Sequence, residues 1–147
     1  MQNTMDARLE DAESIEALIS RQETLGVVSK TAQLGGAQEL STYLTKRETL
    51  EKLIPVMNDM IAQQYGINAS QESAANIATM LGKVMDGQTE ALSRYGYKFD
   101  EAQEKILKYG TEEERCAVLT EVVTSSIGGM NEALGQTDAG KMAQLSA

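Results

Sequence analysis

Among its 147 residues the chain has no histidine and no tryptophan, and it has one cysteine, one proline and one phenylalanine. Without histidine, Ser-His-Asp and Cys-His nucleophilic systems are excluded, and the commonest side-chain ligand of transition metals is missing. The single cysteine, Cys116, can form neither an internal disulfide nor a zinc site of several cysteines. These absences predict a protein that is not an enzyme and that uses no metal or other cofactor.

Basic residues are also scarce, since 13 Lys and Arg stand against 22 Asp and Glu and give a net charge of −9. Such a chain repels the phosphates of nucleic acids and the headgroups of anionic lipids. No local basic patch offsets this repulsion, because the densest group of basic residues is the pair Lys46-Arg47. No apolar run approaches the roughly 18 residues of a membrane span, and the polar, acidic residues 1–16 do not resemble a secretory signal. We therefore expect neither a nucleic-acid partner nor a membrane partner.

The residues that are present favour helices. With aromatics at 4%, the core must consist of Leu, Ile, Val, Met and Ala, which suits helices packed on helices. Apolar residues recur at intervals of three and four in residues 50–65, 74–85 and 118–127, and no stretch alternates as a strand would. The pattern predicts an all-α fold with helices near residues 5–24, 30–44, 46–65, 70–86, 88–95, 101–109 and 112–127, and a last one that starts near 138.

Three of the predicted helix starts carry the residues of a capping box. In that motif the N-cap side chain and the side chain three positions later each bond the other's backbone N–H. The pairs are Thr45 with Glu48, Asp100 with Gln103, and Thr111 with Glu114.

Helix ends are marked by Tyr-Gly pairs at 65–66, 95–96 and 109–110. Glycine adopts the left-handed conformation that a helix needs just past its end. Stops this frequent predict short helices with Gly-terminated turns that fold back into a helical bundle or hairpin. Inside the helices, Pro55 predicts a kink or a split, and Gly35-Gly36 either weakens its helix or allows a neighbour to approach closely.

Three groups of residues that could carry chemistry have simpler interpretations. Cys116 lies one turn into a helix whose first residues are acidic and favour the protonated thiol, so we predict a buried structural cysteine. Five acidic residues of the first helix predict a solvated face: Asp6, Glu10, Asp11, Glu13 and Glu16. The methionines either fill the core or line an adaptable groove for a partner, foremost Met57, Met60, Met80 and Met85.

Residues 135–142 match the phosphate-binding pattern G-x-x-x-x-G-K-[ST] except at the last position, where Met142 replaces the hydroxyl that holds Mg²⁺. That pattern should follow a buried strand, whereas residues 118–131 have the composition of a helix and a turn. We therefore predict a turn and a helix start capped by Thr137 or Asp138, and not a nucleotide site.

Residues 80–97 resemble a signature of the tail length tape measure proteins of phages and prophages, with the sequence MLGKVMDGQTEALSRYGY. The shared pattern is a helix, a glycine, a short Ala-Leu step and then Arg-Tyr-Gly. Further segments are similar to that family, namely FDEAQ at 99–103, GTEEER at 110–115, GGMNEAL at 128–134 and TDAGK at 137–141. The resemblance runs from about Gln33 to the end and is to tape measure proteins of Bacteroides-type prophages. It lies in the order and spacing of the segments, because none of them is chemically specific.

This resemblance implies a structural role in tail length determination and tail assembly. Tape measure proteins are long helical chains that set the length of the tail tube. Tail assembly chaperones keep them soluble in the host cytoplasm, and tube subunits then enclose them in the lumen of the virion tail. The implied partners are therefore tail tube and tail assembly chaperone proteins, with a homo-oligomer also possible.

The length of the chain indicates a fragment or domain of such a protein. A rod of 147 helical residues would reach only roughly 220 Å. We interpret residues 1–44 as an N-terminal helical arm and residues 45–147 as a helical tape-measure-like domain. Because the sequence stops at Ala147 within a helix just begun, we expect the C-terminus of this domain to be truncated.

Two turns within the resembling segments are the candidate partner-facing sites. The first comprises Gly82, Asp86, Gly87, Leu92, Arg94, Tyr95 and Gly96, and the second comprises Gly128, Gly129, Met130 and Asn131. Their glycines could instead serve only to end helices. A stand-alone helical adaptor or regulator that binds proteins is the alternative function.

Overall fold

The computed structural model describes the backbone of residues 2–137 and 139–142, and the side chains of residues 14–93, 95–137 and 139–142. The α-helices are α1 (Gln2–Leu25), α2 (Lys30–Ser41), α3 (Arg47–Tyr65), α4 (Gln71–Met85), α5 (Glu101–Tyr109), α6 (Glu112–Ile127) and α7 (Met130–Gly135). Two 3₁₀ helices, η1 (Gly66–Asn68) and η2 (Thr89–Tyr95), follow α3 and α4. Within the described residues there is no strand, so the predicted all-α fold is confirmed.

Several boundaries differ from the sequence prediction. The second helix ends at Ser41 and not at 44, because residues 42–44 turn back with i→i−3 bonds, such as the Tyr43 N–H to the Leu40 carbonyl at 3.0 Å. In place of the helix predicted at 88–95 the chain forms the 3₁₀ helix Thr89–Tyr95, and α7 was not predicted. Residues 139–142 are helical, and the Thr137 hydroxyl accepts the Gly140 N–H at 3.0 Å as the predicted cap. The other predicted cap, Asp138, lies outside the described residues.

Of the two effects predicted for Pro55, a kink or a split, the split does not occur, because α3 is continuous through Pro55. A proline inside a helix costs about 3 kcal/mol. The residues on either side, Leu53 and Ile54 before it and Val56 and Met57 after it, are all buried. Each such side chain contributes roughly 1.5–3 kcal/mol when buried, so packing on both sides of Pro55 outweighs its cost.

The hydrophobic core is formed mainly by α3, α4 and α6, and α2 packs closely along α4. At Gly36 an added Cβ would lie 2.6 Å from Met57 Sδ. The glycine therefore permits close approach of α2 and α3, which is the second interpretation given above for Gly35-Gly36. Val28, Ala32 and Leu40 belong to the same core cluster as α3 and α4. The division into residues 1–44 and 45–147 stays a prediction.

The four methionines named above are core residues. Met57 and Met60 have no exposed surface, and Met80 and Met85 are 6% and 4% exposed. This burial favours core filling over a methionine-lined groove.

As for membranes, no helix in the described part of the chain combines the length and hydropathy needed to cross a bilayer.

Candidate functional site

A groove on the surface of this fold lies where η2 folds back against α4, and we call it the α4–η2 groove. Its volume is about 630 Å³. Tyrosines from two Tyr-Gly helix ends, Tyr65 and Tyr95, are part of its wall. The remaining lining is mixed in chemistry: Asn76, Thr79, Met80, Lys83, Gln88, Glu90, Ala91 and Ser93.

The turn after α4 shapes this groove. Gly87 has φ +96°, a conformation that glycine adopts without strain, and the Gln88 N–H returns to the Lys83 carbonyl at 2.9 Å. Leu92 has no exposed surface and therefore anchors η2 to the core. At the far end Gly96 has φ +86° and ends the 3₁₀ helix. The local sequence thus brings a short helix back over α4 and leaves the groove between them.

Arg115 stabilises the turn after α4 through hydrogen bonds. Its Nη1 donates to the Met85 carbonyl at 2.8 Å, and its Nη2 donates to the Lys108 carbonyl at 2.9 Å. One guanidinium on α6 therefore bonds the last turns of both α4 and α5, where carbonyls lack helical donors and the helix dipole is negative. In addition, the Thr89 hydroxyl donates to Glu104 of α5 at 3.4 Å.

The groove can offer hydrogen bonds and partly apolar tyrosine faces to a bound chain. Lys83 and Glu90 provide one charge of each sign, and Asn76 and Gln88 provide amides, all four of them exposed. Such a mixed lining is typical of surfaces that bind proteins reversibly. No group of His, Cys, Asp or Glu that could hold a metal ion occurs within the described residues.

The second candidate turn, at residues 128–131, is held by Asp59 of α3. The Asp59 carboxylate accepts the Gly129 N–H at 3.1 Å and the Asn131 N–H at 2.8 Å, and so caps α7. Burial raises the pKa of Asp59, and these two N–H donors only partly oppose that effect. The Asn131 side chain accepts the Val27 N–H at 2.8 Å, which ties α7 to the link between α1 and α2.

The predicted site residues therefore divide by exposure. Asp86, Gly96, Gly128 and Gly129 are exposed, and Gly87, Tyr95 and Met130 are half-buried. The side chain of Arg94 lies outside the described residues.

Three predicted partner-facing residues are inside the fold, which corrects that expectation. Leu92 has no exposed surface, and Asn131 is 3% exposed. Gly82 is buried in α4, where an added Cβ would overlap the ring of Tyr43. These three residues pack the chain itself and present nothing to solvent.

The sequence did not indicate how α3 begins. The predicted box of Thr45 and Glu48 is wrong, because Lys46 is the N-cap residue and makes no side-chain cap. Instead Glu112 accepts the Thr45 N–H at 2.8 Å, the Lys46 N–H at 3.1 Å, and the hydroxyls of Thr45 and Thr49 at 3.0 and 2.9 Å. Burial alone would raise the pKa of Glu112, but these four hydrogen bonds together lower it below its ordinary value.

A buried cluster of amides was also missed. Asn58 Nδ2 donates to Gln33 at 3.0 Å and to Gln22 at 3.2 Å, and Gln33 Nε2 donates to the carbonyls of Val28 and Ile19. Gln33 and Asn58 have no exposed surface. Their partners lie 5 to 36 positions apart, so no single helical pattern reveals them.

Cys116 is 1% exposed, and the predicted buried thiol is confirmed. Burial raises its pKa, and the charge of Glu112 adds a smaller effect in the same direction. The thiol is therefore held protonated within the core.

Comparison with known proteins adds no relative: no protein-family model, curated protein or solved structure matches this chain.

Proposed function

We propose that this chain is a structural segment of a phage or prophage tail length tape measure protein, which contributes to tail length determination and assembly by binding other tail proteins. The observation that carries the proposal is the ordered set of segments at 80–97, 99–103, 110–115 and 128–134 that resemble that family. The segments 80–97 and 110–115 are neighbours in the fold, since Arg115 of the second donates a hydrogen bond to the Met85 carbonyl of the first.

The folded-back arrangement supports a role in contacts more than in measurement. The longest element, α1, has 24 residues and so spans roughly 36 Å. We infer that the measuring rod lies elsewhere in a longer parent chain, and that this segment meets tail assembly chaperones in the host cytoplasm and tube subunits in the tail lumen.

Within this proposal, the α4–η2 groove is the surface that receives a tail protein. Tyr95 is half-buried in its wall, and tyrosine is one of the residue types enriched among the residues that dominate binding energy at interfaces. The exposed turn residues Asp86 and Gly96 are the C-cap residues of α4 and η2, and neither is part of the lining of this groove.

The test is light scattering after size exclusion of the chain mixed with tail tube and tail chaperone proteins, followed by titration. Tyr95→Ala should weaken the complex about tenfold or more, since an interface tyrosine contributes about 2 kcal/mol. Tyr109→Ala is the matched control: Tyr109 also precedes a helix-ending glycine, is 81% exposed and is absent from the groove, so its loss should change affinity less than about twofold. A chain that binds no tail protein would refute the proposal.

The alternative is a stand-alone helical adaptor or regulator that uses the same groove. The same titration separates the two functions. A partner that is not a tail protein, bound with the same dependence on Tyr95 while tube and chaperone proteins do not bind, would establish the adaptor instead.

A further inference from the structure

Helix α1 packs outside the main core that α3, α4 and α6 form. Among its described side chains, none belongs to that core cluster. Ile19, the one described residue of α1 that is fully buried, instead forms a small separate cluster with Ala37 of α2 and Ile54 of α3. Beside this cluster an apolar groove of about 440 Å³ remains, lined in part by Ile15 and Leu50. Apolar packing therefore holds α1 to the rest of the fold over a small area.

The buried amides beneath α1 each have a shorter hydrogen bond to a group outside α1. Asn58 Nδ2 donates to Gln22 of α1 at 3.2 Å and to Gln33 of α2 at 3.0 Å. Gln33 Nε2 donates to the carbonyl of Ile19 in α1 at 3.2 Å and to the carbonyl of Val28 at 3.0 Å. If α1 leaves, both amides keep the partner that holds them more closely. The surface beneath α1 therefore does not need α1 to keep its arrangement.

The polar contacts nearer the two ends of this surface follow the same rule. Asn131 Nδ2 donates to Gln22 of α1 at 3.4 Å, whereas Asn131 Oδ1 accepts the Val27 N–H, just after α1, at 2.8 Å. At the other end, the Ser14 hydroxyl of α1 donates to Glu51, whose carboxylate also forms an ion pair within α3. The link after α1 is thus fixed to α7 independently of α1, and Glu51 keeps a partner without Ser14.

We propose that α1 is a strap that detaches as a unit from α2, α3 and α7, with its hinge at Gly26, while the rest of the fold stays intact. The residues that follow the hinge remain anchored to α7 and to the main core. The opening uncovers an apolar surface of α2 and α3 around Ala37 and Ile54, which is continuous with the groove beside α1. Helix α1 therefore controls whether this surface is exposed. The strap requires only the chain itself, so it does not depend on the proposed tail function.

Hydrogen exchange of the full chain tests whether α1 opens separately. Ile77 has no exposed surface in α4, and Ile77→Val removes one methylene from the main core. The slowest amides of α3 and α4 exchange through global unfolding, so this variant should speed their exchange about fivefold. Exchange in residues 14–25 should change by less than about twofold, because the opening of α1 leaves the main core folded. An equal change in both regions would show that α1 opens only when the whole chain unfolds, and would overturn the proposal.

Thiol labelling tests whether the opening uncovers the surface beneath α1. Ala37→Cys in a Cys116→Ala background places a thiol there, and Cys116 of the original chain is the control within the main core. Each labelling rate is compared with the rate of the same thiol in urea that unfolds the chain. Protection of the new thiol should be at least about tenfold weaker than that of Cys116. It should also fall less steeply with urea, because a local opening exposes less surface than unfolding does. Equal protection, or a rate that does not depend on urea, would contradict the opening.

Discussion

The Asn131 side chain accepts the backbone N–H of Val27, 104 positions earlier in the sequence, at 2.8 Å. Asn131 is 3% exposed, and its own N–H is bound by Asp59, so the residue joins α7, α3 and the link between α1 and α2. Asn131→Ala leaves the Val27 N–H buried and unpaired. We expect the free energy of unfolding to fall by about 2 kcal/mol, measured by urea denaturation. Asn76→Ala, at an exposed position of α4, should change it by less than about 0.5 kcal/mol.

The effect of Gly82→Ala on the free energy of unfolding should change sign when Tyr43 is replaced by alanine. In a helix, Gly→Ala ordinarily stabilises by about 1 kcal/mol. At Gly82 the new methyl would overlap the Tyr43 ring, and such overpacking costs about 1–3 kcal/mol, so Gly82→Ala should lower the free energy of unfolding. In a Tyr43→Ala background the ring is gone, and the same change should raise it. Thermal unfolding of the four chains decides this, and the same sign in both backgrounds would contradict the predicted overlap.

Glu112 predicts a pH dependence. Its pKa in the folded chain lies below the ordinary value of 4.5, so its carboxylate contributes stability that is present above pH 4.5 and is lost as the pH falls through the lowered pKa. Glu112→Gln should cost about 1 kcal/mol at pH 7, as the loss of a charged cap does. The difference from the original chain should shrink below pH 4.5 in urea titrations. Glu113→Gln is the control, because Glu113 is exposed and its pair with Lys46 lies at the surface.

Cys116 should report the opening of the core. Because it is 1% exposed and its pKa is raised by burial, reaction with a thiol reagent at pH 8 should be at least about 100-fold slower in the native chain than in urea. Thr24→Cys combined with Cys116→Ala places an exposed thiol on the same fold and should react rapidly. Equal rates for the native and unfolded chain would show that Cys116 is accessible.

The features that sequence predicted are those encoded by neighbouring residues. The capping boxes at Asp100 and Thr111 form as expected, because each needs residues only three positions apart. The helical spacing likewise located most helices within a few residues. The predicted box at Thr45 failed because a carboxylate from 67 positions away binds the same N–H group.

The candidate site was predicted less well for a related reason. A single sequence does not distinguish a glycine that ends a helix from a glycine that packs against the ring of a residue elsewhere in the chain. Gly87 and Gly96 are turn residues with positive φ, whereas Gly82 lies within α4 against Tyr43. Leu92 and Asn131 belong to the two turns named as candidate partner-facing sites, yet the fold buries both. Burial depends on tertiary packing, which local patterns do not contain.

Two carboxylates, Glu112 and Asp59, link α3 to residues that are synthesised later, and this has a consequence for synthesis on the ribosome. Helix α3 takes its amino-terminal cap from Glu112, and its Asp59 binds backbone N–H groups of Gly129 and Asn131. Residues 47–65 are made before any of these partners, and at 5–20 residues per second the roughly 50 to 70 residues between them take several seconds. During that interval α3 leaves the ribosome before the hydrogen bonds to Glu112 and those from residues 129 and 131 to Asp59 can form. The nascent amino-terminal half therefore completes its packing only after the last third of the chain has emerged.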